Sequence, residues 1–158
     1  MKETILDILM FMFQSYVDDE DGAELDKNLL HENLINAGFS GKNIEKAFEW
    51  LEAIPGENES FLLKKPKKNS FRLYSDAEYE KIGDEGLCFL MFLERLDIFH
   101  GEIREHVIDR IMALDTYSVD LGQIRWVVLM ILFNIPGNES SYAWLQNLNS
   151  ENISTYVH

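Results

Sequence analysis

Glu102, Glu105, His106 and Asp109 form the densest group of metal-ligating and acid–base side chains in the sequence, with Arg104 and Arg110 interleaved. On one helix Glu102, His106 and Asp109 project from a shared face, which would offer carboxylate and imidazole to a cation or a proton in transit. A di-iron bundle needs further carboxylates and a second Glu-x-x-His unit on facing helices. Only Asp97-x-x-His100 faintly resembles that unit. The same spacings also suit a solvent-facing helix with His106 paired to Arg110 or Glu102. A weak metal or acid–base site around Glu102 and His106 therefore stands as one alternative, and the residues name no cofactor.

Other chemistry-bearing patterns fall short. A phosphate loop must end in Gly-Lys-Ser/Thr so that amides and a lysine reach the phosphates. Gly41-Lys42 is followed by Asn43, and Asn36 stands where the first glycine belongs. Gly38-Phe39-Ser40-Gly41-Lys42 lacks the closing glycine of a nucleophile elbow. The acidic stretch Asp18 to Gly22, set in calcium-loop register, puts Val17 and Asn28 at the first and last ligand positions. His31-Glu32-Asn33-Leu34-Ile35 supplies one histidine where a zinc protease helix needs two. Cys88 sits in an apolar run, where a thiol is expected to pack as a small hydrophobe. These residues predict a protein that is not an enzyme.

Charge is the strongest local signal. The 158-residue chain carries a formal charge of −14, divided as −10 over residues 1–60, +3 over 61–81 and −7 over 82–158. Lys64, Lys65, Lys67, Lys68 and Arg72 thus make a basic island on an acidic body. Such a segment can meet phosphates or an acidic partner. Overall negative charge opposes broad binding to nucleic acid or anionic membrane. Glu45, Glu49 and Glu52 on the third predicted helix would be repelled by a phosphate backbone. The expected partner is another protein, contacted through the basic island with Arg104 and Arg110, and nucleic acid is the second option.

The elements that must hold these side chains are mainly helical. Ile5, Ile8, Leu9, Met12 and Phe13 follow the i, i+3, i+4, i+7 rule behind Thr4 as N-cap. A second helix over Glu24 to Ala37 ends at Gly38, suited to a left-handed C-terminal position, with Phe39 folding back against it. Ser40 caps a third helix whose buried face is Ile44, Ala47, Phe48 and Leu51. Phe61-Leu62-Leu63 and Phe71-Arg72-Leu73-Tyr74 read as strands of a small β-hairpin, giving a winged-helix-like order. Beyond it helices are predicted over Asp76–Ile82, Asp84–Ile98, Glu102–Leu114, Leu121–Asn134 and Ser141–Leu148. Asp84, Asp120 and Ser140 are their expected N-caps. The expectation is a winged-helix-like unit over residues 1–75 and a helical bundle over 76–158, the two forming separate domains or one continuous domain.

With 46% apolar residues the chain can build a sizeable core. The longest apolar runs, Leu87–Leu93 and Trp126–Phe133, are far short of the roughly 20 residues of a membrane span and read as core helices. One cysteine excludes a disulfide framework. The first residues lack the basic start of a secretory signal, so a cytoplasmic protein with no membrane partner is expected. Exposure of Trp50, Phe71 or Trp144 beside other apolar groups would make a homodimer an option.

Several segments resemble the bacterial Smg family. They are Ala37-Gly38-Phe39 with Ile44, Ala47 and Trp50-Leu51-Glu52; Arg72-x-Tyr74-x-x-x-Glu78; Phe92-Leu93-Glu94; Arg104-Glu105-x-Val107-Ile108-Asp109-Arg110; and Arg125 to Met130 with Leu132-Phe133-Asn134 and Pro136-Gly137. They run in order along nearly the whole chain. The resemblance implies a cytoplasmic bacterial protein of about this size, and carries over no reaction, cofactor or catalytic residue.

Overall fold

A computed structural model of the chain describes residues 4–18, 27–54, 73–135 and 139–147. The described residues form seven helices: α1 (Ile5–Asp18), α2 (Lys27–Asn36), α3 (Gly41–Glu52), α4 (Asp76–Arg95), α5 (Gly101–Met112), α6 (Leu121–Asn134) and α7 (Glu139–Gln146). They divide between two compact units, Met1–Ala53 and Ile54–His158. Among the described residues no helix is long and apolar enough to cross a membrane.

The first unit is built from α1, α2 and α3. Thr4 opens α1 by accepting from the Asp7 amide at 3.2 Å, and the Asp7 carboxylate accepts the Thr4 amide at 3.0 Å. These reciprocal bonds satisfy two amides that a helix start leaves without partners. One apolar face of α1 (Leu6, Ile8, Leu9, Met12 and Phe13) is buried with Leu30 and Leu34 of α2 and Ile44, Ala47 and Trp50 of α3. At the end of α2, Gly38 takes φ 101°, its amide donates to the Ile35 carbonyl, and the Phe39 amide donates to the Leu34 carbonyl. That pair of bonds is a Schellman stop, and only glycine enters the left-handed region without strain. Phe39 then meets Phe11 edge-on at 5.7 Å. Ser40 accepts from the Asn43 amide to start α3, as the sequence predicts.

The second unit is organised around α6, which packs against α4, α5 and α7. Neighbours on several sides explain why Val127 to Leu132 are all buried and carry no polar stripe, whereas at the ends of the expected core run Trp126 is half-buried and Phe133 exposed. On α4 the expectation of burial all round fails. Leu87, Phe89, Leu90 and Leu93 are buried, whereas Met91 and Cys88 are exposed. A run of apolar residues does not reveal which side lacks a neighbour. Cys88 is thus a surface thiol, contrary to the expected core position. Trp50 is buried, Trp144 is partly exposed and packs on Phe92 at 6.4 Å, and Phe71 lies outside the described residues.

The expected β-hairpin, and the winged-helix-like order built on it, must be corrected: no strand occurs among the described residues. Residues 61–72, with Lys64, Lys65, Lys67, Lys68 and Arg72, lie outside the described residues. Leu73 and Tyr74, the expected end of the second strand, are described and are not a strand. They lead into α4, whose start is fixed by a capping box. Ser75 Oγ accepts the Glu78 amide at 3.2 Å while Glu78 Oε1 accepts the Ser75 amide at 3.0 Å. The Tyr74 ring meets Tyr79 edge-on at 6.1 Å. Apolar alternation over so few residues fits a strand by period but yields to the adjacent cap.

Candidate functional site

Within the α5 group Arg104 ties the helix to its neighbour α4. Arg104 reaches from the first turn of α5 to Glu94 of α4, donating from Nη1 to both carboxylate oxygens at 2.7 and 2.8 Å. Its Nε donates to Glu105 at 3.3 Å. Burial works against the Arg104 charge, yet the Glu94 and Glu105 carboxylates outweigh it and raise its pKa above the usual arginine value. Arg110 donates to Asp109 Oδ2 at 2.7 and 2.9 Å. Among the described residues no group of three or more His, Cys, Asp or Glu could hold a metal ion. Glu102, Glu105, His106 and Asp109 share a helix, then, without being gathered into a ligand set.

Lys81 and Arg125, neither of them among the predicted site residues, have clear structural roles. Lys81 Nζ donates to the carbonyls of Met112 and Leu114 at 3.1 and 2.6 Å, at the C-terminal end of α5. A cation there meets carbonyls without helical partners and the negative end of the helix dipole. Burial lowers the Lys81 pKa, and Asp115 partly restores it. The Lys81 carbonyl in turn accepts the Val119 amide at 3.0 Å. Arg125 plays the same part for α7, donating to the Gln146 carbonyl at 2.9 Å with its guanidinium 5.9 Å from the Trp126 ring. Burial lowers the Arg125 pKa, against the opposing influence of Tyr142.

A groove opens beside Lys81. Gly83 interrupts α4 with φ 78° and ψ 165°, a backbone conformation essentially confined to glycine. Three residues on, Gly86 lets α4 and α6 approach closely: a Cβ there would lie 2.5 Å from Ile124 Cδ1 and 2.7 Å from Ile82 Cγ2. Between the Gly83 break and the start of α6 lies a cavity of about 700 Å³, lined by apolar Ile82, Val119 and Leu121 and by acidic Asp84, Glu85 and Asp120. Asp120 caps α6, accepting the Gln123 amide at 2.8 Å, while Gln123 Oε1 accepts the Asp120 amide at 2.9 Å. The N-cap at Asp120 and the helix boundary before Asp84 are both legible in the sequence; the cavity between them is not. Nearby in the chain, Leu73 and Tyr117 are 87% and 86% exposed and Tyr79 is half-exposed.

In the first unit a smaller cavity of about 400 Å³ lies between α2 and α3, lined by His31, Glu45, Phe48 and Glu49 among others. The Lys27 ammonium sits 5.1 Å from the Phe48 ring centroid and 3.3 Å from Glu52. Lys27 and Glu52 are both largely solvated, so the pair adds little to stability.

The family described as "Protein of unknown function (DUF494)" matches residues 5–158. The chain is 38% identical over 158 residues to a protein Smg homolog of Thioalkalivibrio sulfidiphilus, covering all of both chains. It belongs to the Smg family. Further Smg homologs are similar at 39% identity in Halorhodospira halophila, over the full length of both chains, and at 41% in Stenotrophomonas maltophilia, over 92% of each. The Smg-like segments of the sequence fall on defined parts of this architecture: Gly38-Phe39 forms the stop of α2, Arg104 ties α5 to α4, and Arg125 to Met130 lie in α6. No solved structure matches the chain.

Proposed function

We propose that this Smg-family chain is a non-enzymatic protein-interaction or regulatory module acting in the bacterial cytoplasm. The observation that carries this reading is the near-complete exposure of Leu73 and Tyr117, at 87% and 86%. Large apolar side chains left in water favour contact with another protein, and tyrosine is enriched in such contacts. Arg104 supports the scaffold through Glu94 of α4, and Arg110 pairs with its own neighbour Asp109 on α5. The basic segment Lys64, Lys65, Lys67, Lys68 and Arg72, adjoining Leu73 in sequence, would add charge to the contact. Crosslinking in a bacterial lysate should capture a partner with the natural chain and lose it with Leu73→Asp and Tyr117→Asp. A capture indifferent to both substitutions, or no capture above background, would refute the reading.

The lysine run favours a second reading, contact with nucleic-acid phosphates. A gel-shift series with DNA and RNA tests it. Binding that ignores loss of Lys64, Lys65, Lys67 and Lys68 would remove that mechanism.

A further inference from the structure

We infer that the first half of α4, residues 76–82, is a flap hinged at Gly83 and latched by Lys81, which governs whether Leu73 and Tyr117 present one surface. The control of that surface deepens the interaction reading above and rests on it. Gly83 departs from helical geometry, at φ 78° and ψ 165°, so the regular i to i−4 ladder cannot run through it. Among the described residues nothing lies within 4 Å of its Cβ direction, so no local wedge forces the bend. The bend is held from a distance. Lys81 Nζ donates to the Met112 and Leu114 carbonyls, and the Lys81 carbonyl accepts the Val119 amide. Burial of Ile82 and Val119 adds to the hold.

Two arrangements of α4 therefore compete. The bent form gives up helical bonds at Gly83 and gains the Lys81 contacts; the straight form restores the ladder and loses them. Such an exchange of local for tertiary bonds makes a two-state element. The flap carries its own capping box, Ser75 with Glu78, and the Tyr74–Tyr79 ring contact, so it can turn without unwinding its start. The cavity of about 700 Å³ lined in part by Ile82, Gly83 and Val119 leaves room for that turn. Leu73 and Tyr117 stand on opposite sides of the latch. Leu73 leads into the flap, whereas Tyr117 lies between Leu114 and Val119, both of them bonded to Lys81. Closed, the latch fixes the spacing of the two exposed side chains; open, it frees each from the other. The competing explanation is a static kink, which would open only when the whole unit unfolds.

Native-state hydrogen exchange of the full chain, followed by NMR at low urea, separates the two, and in the natural chain it needs no variant to fold. The amides of residues 79–82 and of Val119 should exchange together, through an opening with a smaller urea dependence than that of residues 128–132 inside α6. Lys81→Met should speed the flap set about tenfold or more, the equivalent of losing hydrogen bonds from a charged donor. Gly83→Ala should speed the same amides, because alanine is strained at φ 78° and at ease in a continuous helix. Circular dichroism verifies that both variants fold. Lys81→Met, with Leu73 and Tyr117 intact, should also lose the crosslinked lysate partner.

Exchange of residues 79–82 only in step with the α6 interior would overturn the hinge in favour of a static kink. A Val119 amide whose urea dependence differs from theirs would reduce Lys81 to the tie of one connection and overturn the latch. If the flap exchanges as a unit while folded Lys81→Met still captures the partner, the hinge does not govern the contact and the control is overturned. If the natural chain captures nothing, the interaction role falls and this control with it, while the exchange pattern alone still decides the hinge.

Discussion

The Lys81 ammonium lies 2.6 Å from the Leu114 carbonyl, so a residue in the first half of α4 closes the C-terminal end of α5. The same residue accepts the Val119 amide through its own carbonyl, which joins α4 to the connection leading into α6. Lys81→Met keeps the aliphatic length and removes the donor. It should lower stability by about 1.5–3 kcal/mol, the range for hydrogen bonds made by charged groups, measured by urea denaturation. A change under about 0.5 kcal/mol, as at ordinary surface positions, would show that the contact is incidental.

Gly86 marks a close approach of α4 to α6, and Ala there should cost about 1–3 kcal/mol by overpacking against Ile124. Gly83→Ala should cost a similar amount, about 1–3 kcal/mol, for a different reason. Open space surrounds its Cβ direction, but alanine strains at φ 78°. Pairing each with Ile124→Val separates the causes in thermal melts. Removing a methylene from Ile124 should relieve the Gly86 variant and leave the Gly83 variant unrelieved.

Arg104 holds two carboxylates from different guanidinium nitrogens, Glu94 through Nη1 in a partly buried pair and Glu105 through Nε, and the single ammonium of lysine cannot reproduce that planar arrangement. Arg104→Lys should therefore lose most of what Arg104→Met loses. A double-mutant cycle with Glu94→Gln should return a coupling of about 1 kcal/mol or more, above the exposed-pair range. Coupling near zero would mean that packing of the arginine stem, and not its charge, does the holding.

Tyr142 gives the unit an alkaline sensitivity. Burial raises its phenol pKa, against the opposing pull of Arg125. The folded chain therefore retains this proton at a pH where the unfolded chain releases it, and the group's stabilising contribution is complete below the ordinary phenol value near 10. That contribution declines as pH rises through the higher folded-state value. Denaturation curves at pH 8 and 11 should show the natural chain losing stability relative to Tyr142→Phe; parallel loss in both would disprove the assignment.

Much of the helical framework is legible in the residues. Thr4, Ser40 and Asp120 announce helix starts, Gly38 announces a stop, and the apolar period of α1 identifies its buried face. Local signals fail where the partner is distant. Lys81 bonds across 31 and 33 positions and Arg125 across 21, and no local pattern distinguishes these cations from solvated ones. Apolar period also misled at Leu73-Tyr74, where Ser75 and Glu78 dictate a helix start. At the groove each lining segment is readable alone, but their juxtaposition depends on Gly86 admitting α6.

The enclosure of α6 has a consequence for biosynthesis. Its chain segment leaves the ribosome after α4 and α5, whose apolar faces, including Leu90, Leu93, Val107 and Ile111, must wait for it. Until then a nascent chain displays sticky surfaces that invite chaperones or misassociation. Ribosome stalling or premature termination before α6 would consequently release an aggregation-prone fragment, making the second unit a late folder during translation.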